Sequence, residues 1–195
     1  MKQLIVYTGP VHSEKSTHAL RAASRHARRR EVQLVRPVQS IRPDPACPES
    51  SDRRGTLVTK NGASFPSMDT AYARDILSVV YDKTEVVWLD EPQLWPDEAD
   101  EVFRAVAFLR QNCTVLISGL SATSELEPFG SSMPKLLAVA DEIHLCKADC
   151  DSCGVYGTAS RSRYIGAERK IGQVKVGGTQ LYDADCPACW TSALT

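Results

Sequence analysis

The chain has 195 residues, enough for one or two domains and a sizeable buried core. Lys and Arg number 23 against 24 Asp and Glu, so no net field draws the whole molecule toward nucleic acid or a membrane surface, and only local patches could do so. Seven cysteines, an odd count, fit poorly with the disulfide framework of a secreted protein.

In chain order, the first expected element is the β-rich run "LIVYT" (4–8), halted at once by a glycine-proline turn. It is too short for a signal peptide or a membrane span, and the protein reads as cytoplasmic. Next comes "GPVHSEKST" (9–17), which follows G-x-x-x-x-G-K-[ST] except that Glu14 stands in place of the second glycine. Between a strand and a helix, such a loop surrounds a phosphate with backbone N–H groups, the lysine adds a positive charge and the serine hydroxyl holds Mg²⁺. On spacing alone, a strand-to-helix turn carrying a solvated lysine is an equal reading.

A helix is expected over Ser16–Arg30, and the arginines of "RAASRHARRR" read as its solvated face rather than a nucleic-acid surface. The strand "VQLVRP" (32–37) follows, and then Ser40–Asp69, whose prolines, serines and lack of period suggest an irregular excursion, mobile without a ligand. A helix over Ala71–Tyr81 leads to the strand "VVWLD" (86–90). Asp90 and Glu91 lie at its carboxyl end, the edge on which ligands sit in open α/β sheets. An Asp there suits a loop-bound Mg²⁺, and the adjacent Glu could take a proton from an attacking hydroxyl; capping carboxylates before the next helix are the alternative. A helix over Asp97–Asn112 and the strands "TVLISGL" (114–120) and "EIHLC" (142–146) complete an alternation that predicts a mostly parallel sheet covered by helices.

After Lys147 the pattern breaks into short pieces bracketed by cysteines, which divides the chain into 1–147 and 148–195. Cys150-x₂-Cys153 and Cys186-x₂-Cys189 are separated by 32 residues, room for a hairpin or long loop. Two such turns present four thiolates tetrahedrally to a structural Zn²⁺; buried free thiols or a redox pair are the other readings. Cys47, Cys113 and Cys146 read as ordinary, the last two as core thiols.

Together these stretches resemble the zinc-containing thymidine kinases of bacteria, viruses and the animal cytosol. The likeness runs through "GPVHSEKST", "RPVQSIR" for a Lys-Pro-x-x-Asp-x-Arg segment, "TKNG" for Ser-His-x-Gly, "LDEPQLW" for Asp-Glu-x-Gln-Phe, "GLSATSELEPFGSSMPKLLAVAD", the first cysteine pair, "VGGTQLY" and "CPAC". It implies an α/β P-loop (RecA-like) domain carrying a zinc-bound lasso domain, a homotetramer, and Mg²⁺-assisted transfer from ATP to the 5′-hydroxyl of a deoxynucleoside, thymidine first. Gly9, Pro10, Val11, His12, Ser13, Glu14, Lys15, Ser16 and Thr17 would then surround the ATP phosphates, with Asp90 and Gln93 beside them. Ser16 and Asp90 would hold Mg²⁺, and Glu91 would be the catalytic base. Arg42, Gln93, Leu120, Phe129, Val176, Gly177, Gly178 and Tyr182 would surround the nucleoside, although Gly-Gly before an aromatic also suits a hairpin turn and a packed tyrosine.

Several residues depart from that pattern: Glu14, Ser40 in place of an Asp, Lys60 in place of a His, and Ser121 and Ser124 beside the base. A carboxylate about 4 Å from a phosphate charge costs about 1 kcal/mol in water and roughly 4 kcal/mol at an effective dielectric of 20, so Glu14 is expected to weaken ATP unless it turns outward or pairs with Lys15. Two other classes compete: a nucleotide- or nucleoside-binding relative that has lost turnover, and a helicase-like motor suggested by "DEPQ" and "SAT". A chain of this length leaves no room for the motor's second domain.

Overall fold

The computed structural model describes residues 1–42, 52–96, 100–167 and 181–192. In chain order the elements are β1 (Leu4–Thr8), α1 (Lys15–Ala27), β2 (Val32–Pro37), β3 (Thr56–Val58), β4 (Ser64–Thr70), α2 (Ile76–Val79), β5 (Val86–Asp90), α3 (Glu101–Leu109), β6 (Thr114–Gly119), α4 (Ser132–Ala138), β7 (Glu142–Leu145), β8 (Arg161–Tyr164), β9 (Tyr182–Asp185) and α5 (Pro187–Ser192).

Seven strands form one sheet in the order β3-β4-β2-β5-β6-β1-β7, parallel throughout except for β3 against β4. The central strands are apolar on both faces, as parallel strands between helices must be. Along β5, Val87 and Leu89 join the core under α3 and α4, whereas Val86 and Trp88 join the core under α1. Helices therefore cover both faces. The arginines of α1 lie on its exposed side, while Thr17, Ala19, Leu20, Ala22 and Ala23 are buried.

The segment expected to be an irregular excursion is corrected by the structure: β3 and β4 belong to the sheet, β4 lying parallel to β2. The cause is Arg36, fully buried on β2. Its guanidinium donates to Asp69 Oδ1 at 2.9 Å, to Asp52 Oδ1 at 2.5 Å and to the Arg53 carbonyl at 2.7 Å, so one cation fastens the β3–β4 hairpin to the sheet. Residues 43–51, Cys47 among them, lie outside the described residues.

The helix expected over 71–81 shrinks to a turn at Ala73–Asp75 followed by α2. Gln33 stops it: its amide donates to the Val79 carbonyl at 2.5 Å, and its Oε1 accepts from the Tyr81 N–H and the Thr84 hydroxyl, both at 3.1 Å. Cys113 is buried as expected, donating to the Thr84 carbonyl, but Cys146 is only half-buried and follows β7, beside the β1–α1 loop.

A second, two-stranded antiparallel sheet, β8 with β9, fills part of the span between the cysteine pairs, and α5 carries the last cysteine. Among the described residues no helix is long and apolar enough to cross a membrane.

Candidate functional site

Two features converge at the carboxyl ends of β1 and β5. The β1–α1 loop is pinned at its start by Gly9: a Cβ there would lie 2.1 Å from the Cys146 carbonyl oxygen, so only glycine lets β7 close against the loop. Ser13 Oγ donates to the Pro10 carbonyl at 2.8 Å, and the buried Lys15 donates to the same carbonyl at 2.6 Å. Burial holds the Lys15 ammonium below its ordinary range, opposed by the negative charges of Glu91 and Asp90; Arg42 acts on it in the same sense as burial.

Ser16, in the first turn of α1, donates to Asp90 Oδ1 at 2.7 Å. Ser118, paired opposite Asp90 on β6, donates to the same oxygen and itself accepts from Trp88 Nε1 at 2.7 Å. Buried among these groups, Asp90 is pushed up to about 7, first by loss of water and then by the Glu91 charge. The two serine hydroxyls and the more distant Arg36 oppose that rise, and a bound cation would favour the charged carboxylate further.

Glu91 has a left-handed backbone (φ 50°) and accepts a hydrogen bond at its carboxylate from the Gln93 amide. Gly119 makes room for Gln93, since a Cβ there would lie 2.4 Å from Gln93 Oε1. That oxygen is buried with no hydrogen-bond partner among the described residues. Leu120 follows directly on β6, and Phe129 is buried where the 121–129 loop closes, its N–H donating to the Ser121 carbonyl at 3.0 Å. Arg42 is exposed, its backbone N–H donating to Asp52 Oδ2 at 3.1 Å. Tyr182 stacks edge to face on Tyr164. Val176, Gly177 and Gly178 lie outside the described residues.

Glu14 is exposed, with a left-handed backbone at φ 55° and ψ 27°; the half-buried His12 is left-handed too, at φ 65°. Its charge acts on Lys60, whose ammonium is lowered chiefly by desolvation and raised by Asp151 and Glu14. Two departures from the family pattern are thus electrostatic neighbours, with opposite charges.

At the other end of the chain, the sulfurs of Cys150, Cys153, Cys186 and Cys189 all lie within 4.8 Å of one another. Gly154, left-handed at φ 72°, turns the first pair, its N–H returning to the Cys150 carbonyl at 2.8 Å. The Cys186 N–H donates to Cys150 Sγ at 3.3 Å and is the main cause holding that thiol down to about 6. Cys189 is pushed up to about 12 by hydrogen bonds with the Cys186 and Cys153 thiols. Four thiols this close cannot all ionise unless a cation shares them, and their number and spacing fit a closed, structural zinc site.

Three contributors escape a reading of the sequence alone. Ser118 had a signal, a lone hydroxyl within the apolar run of β6. Asp151 and Ser162 had none, because what they touch lies far away in sequence: the His12 ring and the Val11 N–H.

The fold and its four-thiolate cluster define an α/β protein with a C-terminal site suited to structural zinc. A family model described as "Thymidine kinase" matches residues 2–190, and the chain belongs to that family. It is 29% identical to a thymidine kinase of Chloroflexus aurantiacus (strain ATCC 29366 / DSM 635 / J-10-fl) over 192 residues, 97% of this chain and 94% of the relative. A thymidine kinase of Roseiflexus sp. (strain RS-1) is 34% identical over 146 residues, covering 72% of this chain and 74% of the relative.

Proposed function

We propose that this protein is a deoxynucleoside kinase, with thymidine its leading substrate, which transfers the γ-phosphoryl group of ATP to a 5′-hydroxyl. The observation that carries the reading is the Ser16–Asp90 bridge at the head of α1, with Lys15 and Glu91 beside it, in a chain of the thymidine kinase family. Residues 1–147 would form the nucleotide-binding unit and 148–195 a unit held by structural Zn²⁺.

In this reading the loop from Gly9 to Thr17 binds the triphosphate, and Lys15 exchanges the Pro10 carbonyl for a phosphate oxygen. Ser16 and Asp90 would hold Mg²⁺, which when bound neutralises charge on the phosphates. Glu91, oriented by Gln93, would accept the proton of the attacking hydroxyl. Arg42, Leu120, Phe129 and Tyr182, with Val176, Gly177 and Gly178, would surround the nucleoside as the family resemblance implies. The same resemblance supports a cytoplasmic homotetramer with no membrane or stable nucleic-acid partner. Exposed Ile143 and Leu145 on the edge strand β7 are consistent with assembly.

Two observations favour a second reading, a binding protein without turnover: Glu14 places a carboxylate in the loop, and Lys15 is engaged by the loop's own carbonyl. Mass spectrometry of products from ATP, Mg²⁺ and a nucleoside panel separates the two. For a kinase, Glu91→Gln preserves nucleoside binding while slowing transfer by about 10²- to 10⁴-fold. Absence of product with every nucleoside, from the wild-type protein and the variant alike, leaves only the binding reading.

A further inference from the structure

The β1–α1 loop does not stand alone. Val11 and His12 reach across to the cysteine-rich end of the chain, which supplies three kinds of contact. The Val11 N–H donates to Ser162 Oγ on β8 at 3.1 Å. His12 Nδ1 lies 3.3 Å from Asp151 Oδ2. The Val11 side chain packs on a small core of Ala148, Cys150, Ala159 and Ala184, against which Cys186 and Cys189 also pack.

Asp151 and Ser162 are themselves tied to both cysteine pairs. Asp151 follows Cys150 directly, accepts from the Ala184 N–H at 2.6 Å and donates its own N–H to the Ala184 carbonyl at 2.8 Å, two residues before Cys186. The Ser162 carbonyl accepts from Trp190 Nε1 at 3.3 Å, next to Cys189. Whatever holds the four sulfurs together therefore also holds the two groups that grip the loop.

The loop needs such a grip. His12 and Glu14 occupy left-handed backbone conformations that side chains disfavour, so the loop's own sequence does not select its shape. A preorganised ring of N–H donors binds an anion better than one that must be ordered on binding.

Building on the kinase reading, we propose that Ser162 and Asp151 are positioning residues of the phosphate loop, and that through them zinc occupancy and triphosphate binding stabilise one another. The coupling is reciprocal by thermodynamic necessity: if bound zinc raises ATP affinity by some factor, bound ATP raises zinc affinity by the same factor. A purely structural zinc site would instead support both substrates equally, through folding alone.

The test uses the full-length, zinc-loaded protein and the variant Ser162→Ala, with Ser162→Thr as the version that retains the hydroxyl. Three measurements are made: hydrogen exchange over residues 9–17, calorimetric titration of Mg·ATP and of thymidine, and the rate at which a chelator removes zinc with and without Mg·ATP. We expect faster exchange in the loop of Ser162→Ala, Mg·ATP affinity about 3- to 10-fold lower with thymidine affinity unchanged, and restoration by Ser162→Thr, as suits the loss of one hydrogen bond. Mg·ATP should slow zinc loss from the wild type and do so less in Ser162→Ala. Asp151→Ala, checked for full zinc content, should shift the same readouts in the same direction.

Unchanged loop exchange in Ser162→Ala overturns the brace, whatever happens to ATP. So does faster exchange with undiminished Mg·ATP affinity, or an equal loss of affinity for both substrates. Faster exchange in Ser162→Ala, alongside a wild-type protein that binds no Mg·ATP, overturns the nucleotide reading instead, because the exchange measurement needs no nucleotide.

Discussion

Glu14 is the residue at which the loop departs from its own pattern, and the structure separates two ways in which it acts. Its backbone sits in the left-handed region, where glycine is unpenalised and other residues pay about 1–2 kcal/mol. Its charge lies near Lys60, whereas Lys15 is engaged by the Pro10 carbonyl. Of the two escapes open to Glu14, turning outward or pairing with Lys15, the exposed side chain takes the first, and its charge acts weakly on the unusual Lys60. Glu14→Gly is expected to tighten Mg·ATP by about 1–2 kcal/mol, at the low end of the Coulomb range of about 1 to roughly 4 kcal/mol, with most of the gain surviving added salt because it is conformational. Calorimetric titrations at two salt concentrations check this. A gain that vanishes at high salt would mean that direct repulsion dominates after all.

Among the elements, the central strands were legible from sequence because burial on both faces leaves no choice but continuous β-branched and apolar runs. β1, β2 and β5 occur where those runs are. β4 was not legible: Pro66 lies within it and its faces carry no alternation, since its place in the sheet is set by a cation on the neighbouring strand. Likewise α2 was overextended because the group that ends it, Gln33, lies far away on β2. At the candidate site, Lys15, Ser16, Asp90 and Glu91 stand in two local motifs that the sequence displays, and the structure brings Ser16 and Asp90 together, whereas Ser118, Asp151 and Ser162 enter through tertiary contacts. The dependence of β3 and β4 on Arg36 gives a prediction at this scale. Arg36→Ala leaves Asp69 and Asp52 without their buried partner and should destabilise the protein by about 3–5 kcal/mol in urea unfolding at constant zinc. A loss below about 1 kcal/mol would show that the hairpin is held by other means.

For the whole molecule, the cysteine cluster ties the two ends of the span from Cys150 to Cys189 together. The small core around Ala148, Ala159 and Ala184 is thin without metal, and metal affinity in such appendages is also folding energy. We expect one zinc per chain in reduced, carefully purified protein. Cys153→Ser should lose that metal to a chelator concentration that leaves the wild type loaded, with a lower midpoint of thermal unfolding. Metal analysis finding no zinc in the wild type would refute the site. The order of strands carries a consequence for how the molecule comes into being. β1 is made long before its two neighbours in the sheet, β6 and β7, at residues 114–119 and 142–145. During synthesis the loop at residues 9–14 must wait, its strand unpaired, until most of the chain has left the ribosome, and contacts of such long range are the slow ones to form. The loop is thus made well before the strands that fix its shape.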